Sequence, residues 1–280
     1  MKKRHLTLAA TLCAASMVFP GGPANASSPA DDGHSDGSGT WGSLLDTLPA
    51  RENFDGARTF EWAGQKWYAR DTGWKPGGPI KSGEWNKDQA HVEGGSLYLS
   101  ARYNNKSKKM AGSEVVSSQT VGYGDYHFAF ETGTTQFDEH AIFGAFTYDW
   151  DEQAKEGFTE IDLIESSRWS EKGAKIHNKF TYYQDNGGRK HNIDDHVVAQ
   201  EGTYKFQVDV KWEKGKITWK LWDGNRSRLL HSGSLTEGVP VPTKTTRMHM
   251  NAWCHGLKAE NEKSKDFSVK VSDYKYTPVK

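Results

Sequence analysis

The sequence predicts an all-β fold, a sandwich of two antiparallel sheets. Apolar and polar residues alternate with a period of two in short runs, turns rich in Gly, Asn, Asp and Lys separate these runs, and long helical periodicity is hard to find. A strand with one apolar and one polar face needs a second layer to cover the apolar face. Two sheets packed face to face are therefore the expected architecture.

Three segments carry this alternation most clearly. Residues 96–102 and 126–131 each place apolar side chains on one face and mostly polar ones on the other. Residues 205–222 predict a hairpin around the turn at residues 213–216. Its apolar face consists of Phe206, Val208, Val210, Trp212, Ile217, Trp219 and Leu221.

The amino terminus has the pattern of a secretory signal peptide over residues 1–26. Lys2, Lys3 and Arg4 precede an apolar run of about 14 residues, and small residues follow at Ala24 and Ala26. This run is shorter than the ~20 residues that span a bilayer, so we expect a secreted, extracellular protein without a membrane partner. Residues 27–40 contain no large apolar side chain and predict a flexible linker. Residues 41–280 then form one domain, expected to be monomeric.

The charge balance argues against a nucleic-acid partner. The full chain has 36 basic and 36 acidic residues, and removal of the signal peptide leaves three more acidic than basic ones. Nucleic-acid binders normally show a basic stripe. Cys254 is the one cysteine after residue 26, so no intramolecular disulfide is expected.

The segment Phe158–Glu165 carries the strongest chemical signal, because three carboxylates interrupt an apolar, β-prone run. On a regular strand Glu160 and Asp162 share a face, whereas Glu165 has the opposite parity. A β-bulge at Leu163 and Ile164 would absorb the extra residue and return Glu165 to the face of the other two.

Three carboxylates on one face repel one another. Because this repulsion destabilises the fold, we expect the three acids to have a function. Two carboxyl groups about 5–5.5 Å apart across a glycosidic bond can perform double displacement with retention. Glu160 is the expected nucleophile and Glu165 the acid/base, its pKa raised by neighbouring negative charges. Asp162 would hydrogen-bond the nucleophile. The alternatives are a solvated acidic strand and a calcium-binding surface.

The acidic segment resembles the active-site strand of glycoside hydrolase family 16, Glu-x-Asp-x-(x)-Glu, here E-I-D-L-I-E. Further stretches similar to the family's motifs follow in family order and extend the resemblance over residues 50–278. They are the Tyr-Gly strand at Val121–Tyr126, the Ala-Phe pair at Ala145 and Phe146, the hairpin Trp212–Gly224, the Asn-x-Trp strand at Asn251–Trp253, and the closing strand Val271–Tyr274.

The resemblance implies a jelly-roll, concanavalin A-like sandwich with a concave substrate cleft, and endo-cleavage of β-linked polysaccharide with retention. Residues 41–280 would be the catalytic domain, and the six-residue spacing is similar to that of the laminarinase, agarase and carrageenase branch. The sequence has no Cys/His metal spacing, no phosphate-binding Gly-rich loop and no G-x-S-x-G elbow, so we expect that catalysis requires no cofactor. The resemblance also implies a possible structural calcium on the convex side, with Asp273 as its side-chain ligand.

Eleven Trp in a hydrophilic chain suggest that some aromatic rings bind sugar, the alternative for each being a place in the core. His249, Asn251 and Trp253 alternate with apolar residues and predict a cleft wall. His177 and Tyr182 are candidates on the next strand, and Trp169 and Trp150 on rim loops. Phe143 is a further candidate, because it stands near a position where family laminarinases usually carry Trp.

The favoured substrate is a β-1,3- or β-1,3/1,4-glucan. Three alternatives stay open at this point: an agarase-like or other β-galactan hydrolase, a non-catalytic lectin-like module that binds polysaccharide, and a transglycosylase.

Overall fold

The computed structural model describes residues 57–71, 83–132, 138–148, 160–169, 175–183, 191–199, 204–255, 257 and 263–279. The predicted signal peptide, the predicted linker and Trp150 lie outside these residues. Within them, no helix is long and apolar enough to cross a membrane.

The described chain consists of β-strands and one short 3-10 turn at Lys87–Gln89, with no α-helix among its described residues, as the sequence predicts. The strands are β1 (Arg58–Trp62), β2 (Gln65–Ala69), β3 (Gly83–Trp85), β4 (Ala90–Glu93), β5 (Ser96–Asn104), β6 (Lys109–Thr120), β7 (Gly124–Thr132), β8 (Ala141–Tyr148), β9 (Ile161–Ser167), β10 (Lys175–Tyr183), β11 (His191–Ala199), β12 (Lys205–Glu213), β13 (Lys216–Asp223), β14 (Leu229–Leu235), β15 (Arg247–Cys254) and β16 (Phe267–Pro278).

The strands form two antiparallel layers that join where β5 pairs with β6. The layer that we call the front sheet has the order β11-β10-β9-β8-β15-β6, and β2 adds to β6 at its edge. The other layer, the back sheet, has the order β5-β16-β7-β12-β13-β14. A single parallel pair among the described strands, β3 with β6, lies near the junction. This is the predicted sandwich of the jelly-roll type.

Apolar side chains from the two sheets meet in one core. The ring of Phe130 on the back sheet lies 4.6 Å from that of Phe143 on the front sheet, and Trp219 lies 4.8 Å from Tyr182 in the same way. Burying rings of this size supplies much of the stability of a sandwich without disulfides. Cys254, the one cysteine in the described part, is a buried free thiol.

The hairpin predicted from the sequence is present as β12 and β13. Every apolar residue assigned to its inner face is buried, whereas the intervening positions are at least partly exposed. The strands at residues 96–102 and 126–131 show the predicted burial of Leu97, Leu99 and Ala101 and of Tyr126, Phe128 and Phe130. The period-2 pattern therefore located the back sheet correctly.

Candidate functional site

A β-bulge interrupts β9 at the predicted position. Asp162 pairs with Phe146 of β8, whereas Ile164 pairs with Ala145, so Leu163 is the extra residue. On the other side, Thr181 pairs with Asp162 and Lys179 with Glu165, which gives the same shift. Because both neighbouring strands record the shift, the bulge is a property of β9 itself.

The bulge places all three acids on the outer face of the front sheet. Ile161, Leu163 and Ile164 are fully buried and belong to the core. Because Leu163 and Ile164 both point inward, Glu165 points outward, on the same face of the sheet as Asp162. The β-bulge that the sequence predicts at Leu163 and Ile164 is therefore present, and it turns Glu165 to the face of Asp162.

Cross-strand pairing arranges the outer face in rows that run across the strands. One row contains Glu165 and, on successive strands, its paired neighbours; it consists of Glu114 (β6), Asn251 (β15), Gly144 (β8), Glu165 (β9), Lys179 (β10) and Asp195 (β11). The next row contains His249, Phe146, Asp162 and Thr181. Glu160 lies just before β9, and its carbonyl accepts a hydrogen bond from the N–H of Tyr183 at 3.5 Å. The two glutamates thus flank the row of Asp162.

Glu114 adds a fourth acid to this face, and its environment differs from that of the other three. It is buried, forms a 3.0 Å salt bridge with Arg70 and lies 2.8 Å from Nδ1 of His249. Burial disfavours its charge, but Arg70 and His249 together outweigh burial and hold the pKa of Glu114 below its usual range. Glu114 is therefore a fixed negative charge beside the site.

Asn251 reaches over Gly144 toward the acids. A Cβ on Gly144 would lie 2.6 Å from Oδ1 of Asn251, a distance that real contacts do not permit, so only glycine leaves room for the amide. That oxygen is buried and accepts no hydrogen bond from the described residues. A buried acceptor of this kind costs free energy unless a ligand donates to it.

Burial raises the pKa of all three acids on β9. The pKa of Glu160 rises to about 8, through burial first and then through the charges of Glu165 and Glu114. Burial, and after it the charges of Glu165 and Glu160, raise the pKa of Asp162 well above its usual value. Burial raises the pKa of Glu165 to about 7, while Lys179 opposes the rise.

The pKa of Glu165 shifts in the predicted direction, and burial is the largest cause. The charge of Glu165 also raises the pKa of Glu160 and of Asp162, and this repulsion between the acids is mutual. The sequence did not indicate Lys179, which the register of β10 places beside Glu165.

These shifts predict that the site destabilises the folded protein at neutral pH. A carboxyl whose pKa rises on folding favours the folded state below its unfolded value, and this advantage is lost as the pH rises through the folded value. For Glu160 the window runs from 4.5 to about 8. We expect Glu160→Gln to match the parent at pH 4.5 and to be more stable at pH 8 by about 1–3 kcal/mol, or roughly 3–10 °C. Thermal melts across this range measure the difference.

The same substitution at Glu114 is the matched control, with the opposite sign. Because the pKa of Glu114 is lowered on folding, its charge stabilises the protein above its unfolded value. Glu114→Gln should therefore lower the melting temperature at pH 8. A stabilised Glu114→Gln, or a Glu160→Gln variant that gains nothing at pH 8, would contradict these electrostatics.

The structure places five of the predicted sugar-contact residues on or beside the outer face. His249, Asn251 and Trp253 alternate along β15 with the core residues Met248, Met250, Ala252 and Cys254, but His249 and Asn251 are themselves buried and only Trp253 is partly exposed. His177 pairs with Ser167 two residues beyond Glu165, and its Nδ1 lies 2.7 Å from Asp195. Trp169 follows the end of β9.

Tyr182 and Phe143 do not fit this role, because both point into the core. Tyr182 is fully buried and packs against Trp219, and Phe143 is fully buried against Phe130. Phe180 of β10 is buried, and side chains two residues apart on a strand share a face. The alternation therefore places Tyr182 in the core as well, and it could have excluded Tyr182 as a sugar contact. On β8 both faces are apolar, and the pattern gives no such choice.

Several outer-face residues were missed by the sequence reasoning. Phe146 stacks on His249 with ring centroids 4.9 Å apart and pairs with Asp162. Tyr183 lies close enough to all three acids of β9 for their charges, together with burial, to raise its pKa, so its phenol stays a hydrogen-bond donor. The alternation of β10 could have identified Tyr183. Arg70 is far in sequence from Glu114, with which it forms a salt bridge, so no local sequence pattern indicated it.

The described residues around Asp273 give the expected calcium site no support. Its carboxylate is on the back sheet, 61% exposed, and 3.6 Å from Nε2 of His127, which is a nitrogen rather than the oxygen ligand that calcium prefers. Across the described residues, no group of three or more His, Cys, Asp or Glu side chains could hold a metal ion.

Comparison with solved structures shows the same fold in β-glucan-cleaving enzymes. A prokaryotic β-1,3-1,4-glucanase (lichenase) from a mouse hindgut metagenome is 18% identical, with a TM-score of 0.54 over 80% of this chain and 98% of that chain. A Bacteroides ovatus mixed-linkage glucan GH16 protein in complex with a product is 11% identical, with a TM-score of 0.54 over 80% and 98%. A LamA variant from Z. galactanivorans bound to laminaritriose and laminaritetraose is 13% identical, with a TM-score of 0.53 over 80% and 96%.

At these identities the likeness establishes the fold. No protein-family model matches the sequence, and no curated protein matches it either. Among the structures that share the fold are several β-glucanases, and two of them, both from Bacteroides ovatus, are proteins of glycoside hydrolase family 16.

Proposed function

We propose that this chain is a secreted, retaining endo-β-glucanase of glycoside hydrolase family 16. The observation that carries the proposal is the bulge in β9, which brings Glu160, Asp162 and Glu165 to one face of the front sheet. A lectin-like module that only binds sugar has no need to place three repelling acids together, one of them buried and two half-buried.

The mechanism follows from the two glutamates that flank Asp162. Glu165, protonated through burial, donates its proton to the leaving oxygen while the Glu160 carboxylate attacks the anomeric carbon. The glycosidic C–O bond breaks and a glycosyl ester of Glu160 forms. Glu165, now a carboxylate, then takes a proton from water, which attacks the ester and releases the sugar with its original configuration.

The mechanism depends on which of the three acids carry a proton. The mechanism places two protons on the three acids, one on Glu165 and one on Asp162, and leaves Glu160 as the carboxylate. Because the pKa of each acid is raised, the set retains protons near neutral pH. Asp162 has its pKa raised well above the usual value, so it is the member that stays protonated and donates to the Glu160 carboxylate. That donor favours the charged form of the nucleophile and assists its departure as a leaving group in the second step.

The outer face supplies a surface suited to a glucan chain. Trp253 and Phe146 offer partly exposed rings, and Asn251 offers a buried acceptor for a sugar hydroxyl. Solved structures with this fold have been obtained with a mixed-linkage glucan product and with laminaritriose and laminaritetraose. We propose β-1,3- or β-1,3/1,4-glucan as the substrate.

The test is product analysis on laminarin, mixed-linkage glucan, agarose and carrageenan. We expect a rapid fall in the chain length of laminarin or mixed-linkage glucan, and NMR of the new reducing ends should show the β-anomer before mutarotation. Cleavage of agarose or carrageenan alone would replace the glucan assignment by a galactan one. Initial release of the α-anomer would overturn retention, and binding without cleavage of any substrate would favour the lectin-like alternative.

A further inference from the structure

Lys179 occupies an unusual position for a cation, next to the predicted acid/base in the register of the sheet. It pairs with Glu165 at the point where the pairing of β9 and β10 resumes beyond the bulge. Directly opposed side chains on one face have Cβ atoms about 4.5–5.5 Å apart, which is within interaction distance for two long side chains. On the opposite side of Glu165 stands Gly144, which contributes no side chain.

Trp169 fixes the position of the Lys179 ammonium group. The Nζ atom lies 4.1 Å from the centroid of a Trp169 ring, a cation–π distance. The backbone of Trp169 has φ of 50°, a conformation that bulky residues rarely adopt, and its N–H donates to Oγ of Ser167 at 2.9 Å. His255 packs edge-on against Trp169 at 5.5 Å. The indole is therefore a rigid support.

Among the described residues, the charged and titratable groups that act on Glu165 lie on or next to β9 and β10. Lys179 also pairs with Asp195 of β11, and its charge acts on His255 after β15. Glu160 and Asp162 lie close enough for the charge of Glu165 to raise their pKa values, and that charge also raises the pKa of Tyr183 on β10. Lys179 is the cation whose charge opposes the rise in the pKa of Glu165. The acid/base of a double displacement must donate a proton in one step and accept one in the next, so it works best when its proton affinity lies near the working pH.

We propose that Lys179 is a positioning residue for Glu165, its ammonium held on Trp169 so that it stabilises the Glu165 carboxylate, which forms in the first half of the reaction and accepts a proton from water in the second. The inference rests on the function proposed above. Lys179 acts through Glu165 and forms no bond to the reacting atoms.

The experiment compares the pH dependence of kcat/KM for the parent, Lys179→Met and Lys179→Arg. In Lys179→Met the alkaline limb of the kcat/KM profile, which reports the titration of Glu165, should move upward by about one pH unit. With substrates for which deglycosylation limits turnover, kcat should fall several-fold. Lys179→Arg retains the charge and should keep the limb in place. Lys220→Met, an exposed substitution on β13 of the back sheet, is the matched control and should not move it.

The inference is overturned if the alkaline limb of Lys179→Met does not move. It is also overturned if KM rises while kcat stays unchanged, because Lys179 would then be a sugar contact. Circular dichroism and melting temperature establish folding, and Lys179→Gln replaces the Met variant if the latter does not fold. Failure of the proposed function is distinguishable, because the parent enzyme would then show no glucan cleavage at any pH.

Discussion

Replacement of Glu160 by Ala should reduce kcat/KM on glucan by about 10⁴-fold or more, the largest effect expected for any single substitution in this protein. The variant loses the atom that forms the covalent bond, while the sugar-binding side chains stay in place. Initial-rate measurements test this loss, and calorimetry should find oligosaccharide affinity within about threefold of the parent.

Azide provides a sharper readout of the role of Glu160. In Glu160→Ala a small anion can enter the space left by the side chain and attack the anomeric carbon of an activated aryl β-glycoside directly. The product should be the α-glycosyl azide, because one displacement replaces two. Glu213→Ala, at the surface end of β12 where Glu213 pairs with Lys211, is the control and should behave like the parent. Unchanged hydrolysis in Glu160→Ala would remove Glu160 as the nucleophile.

Replacement of Glu165 by Ala should have the second largest effect, and its size should depend on the leaving group. On glucan, whose leaving alcohol needs a proton, we expect kcat/KM to fall by about 10²–10⁴-fold. On an aryl glycoside with an acidic phenol, formation of the glycosyl-enzyme needs no proton and should stay close to the parental rate. Steady-state and burst kinetics on the two substrates separate these cases.

Azide should also distinguish Glu165 from Glu160. In Glu165→Ala the glycosyl ester of Glu160 forms but lacks a base for water, so azide should accelerate turnover and give the β-glycosyl azide, the product of two displacements. The alkaline limb of the pH profile should disappear, since Glu165, with its pKa raised to about 7, produces it. Equal losses on both substrates would contradict the assignment.

The sequence predicted the bulge in β9 because the acids and the apolar residues of this segment follow two conflicting patterns. Acids at 160, 162 and 165 cannot share a face on a regular strand, and the apolar residues between them fix which side is the core. One bulge resolves the conflict, and the registers of β8 and β10 confirm it. The same period-2 logic located the hairpin of β12 and β13.

The surroundings of the acids could be predicted only in part, because they depend on long-range pairing. Glu114 and Arg70 are 44 residues apart, and their salt bridge exists because β2 pairs with β6. Phe143 was misplaced because β8 is apolar on both faces and therefore carries no parity signal. The placement of Lys179 required the register after the bulge, which shifts every cross-strand neighbour by one residue.

The proposed mechanism requires a covalent bond between the sugar and Glu160, and one measurement tests for that bond directly. An activated 2-deoxy-2-fluoro β-glycoside slows the second step more than it slows the first, so the glycosyl-enzyme should accumulate. Mass spectrometry of the digested protein should find one sugar on the peptide that spans β9, attached at Glu160. A label on Glu165 or elsewhere would contradict the account, and so would an active enzyme that never acquires a label.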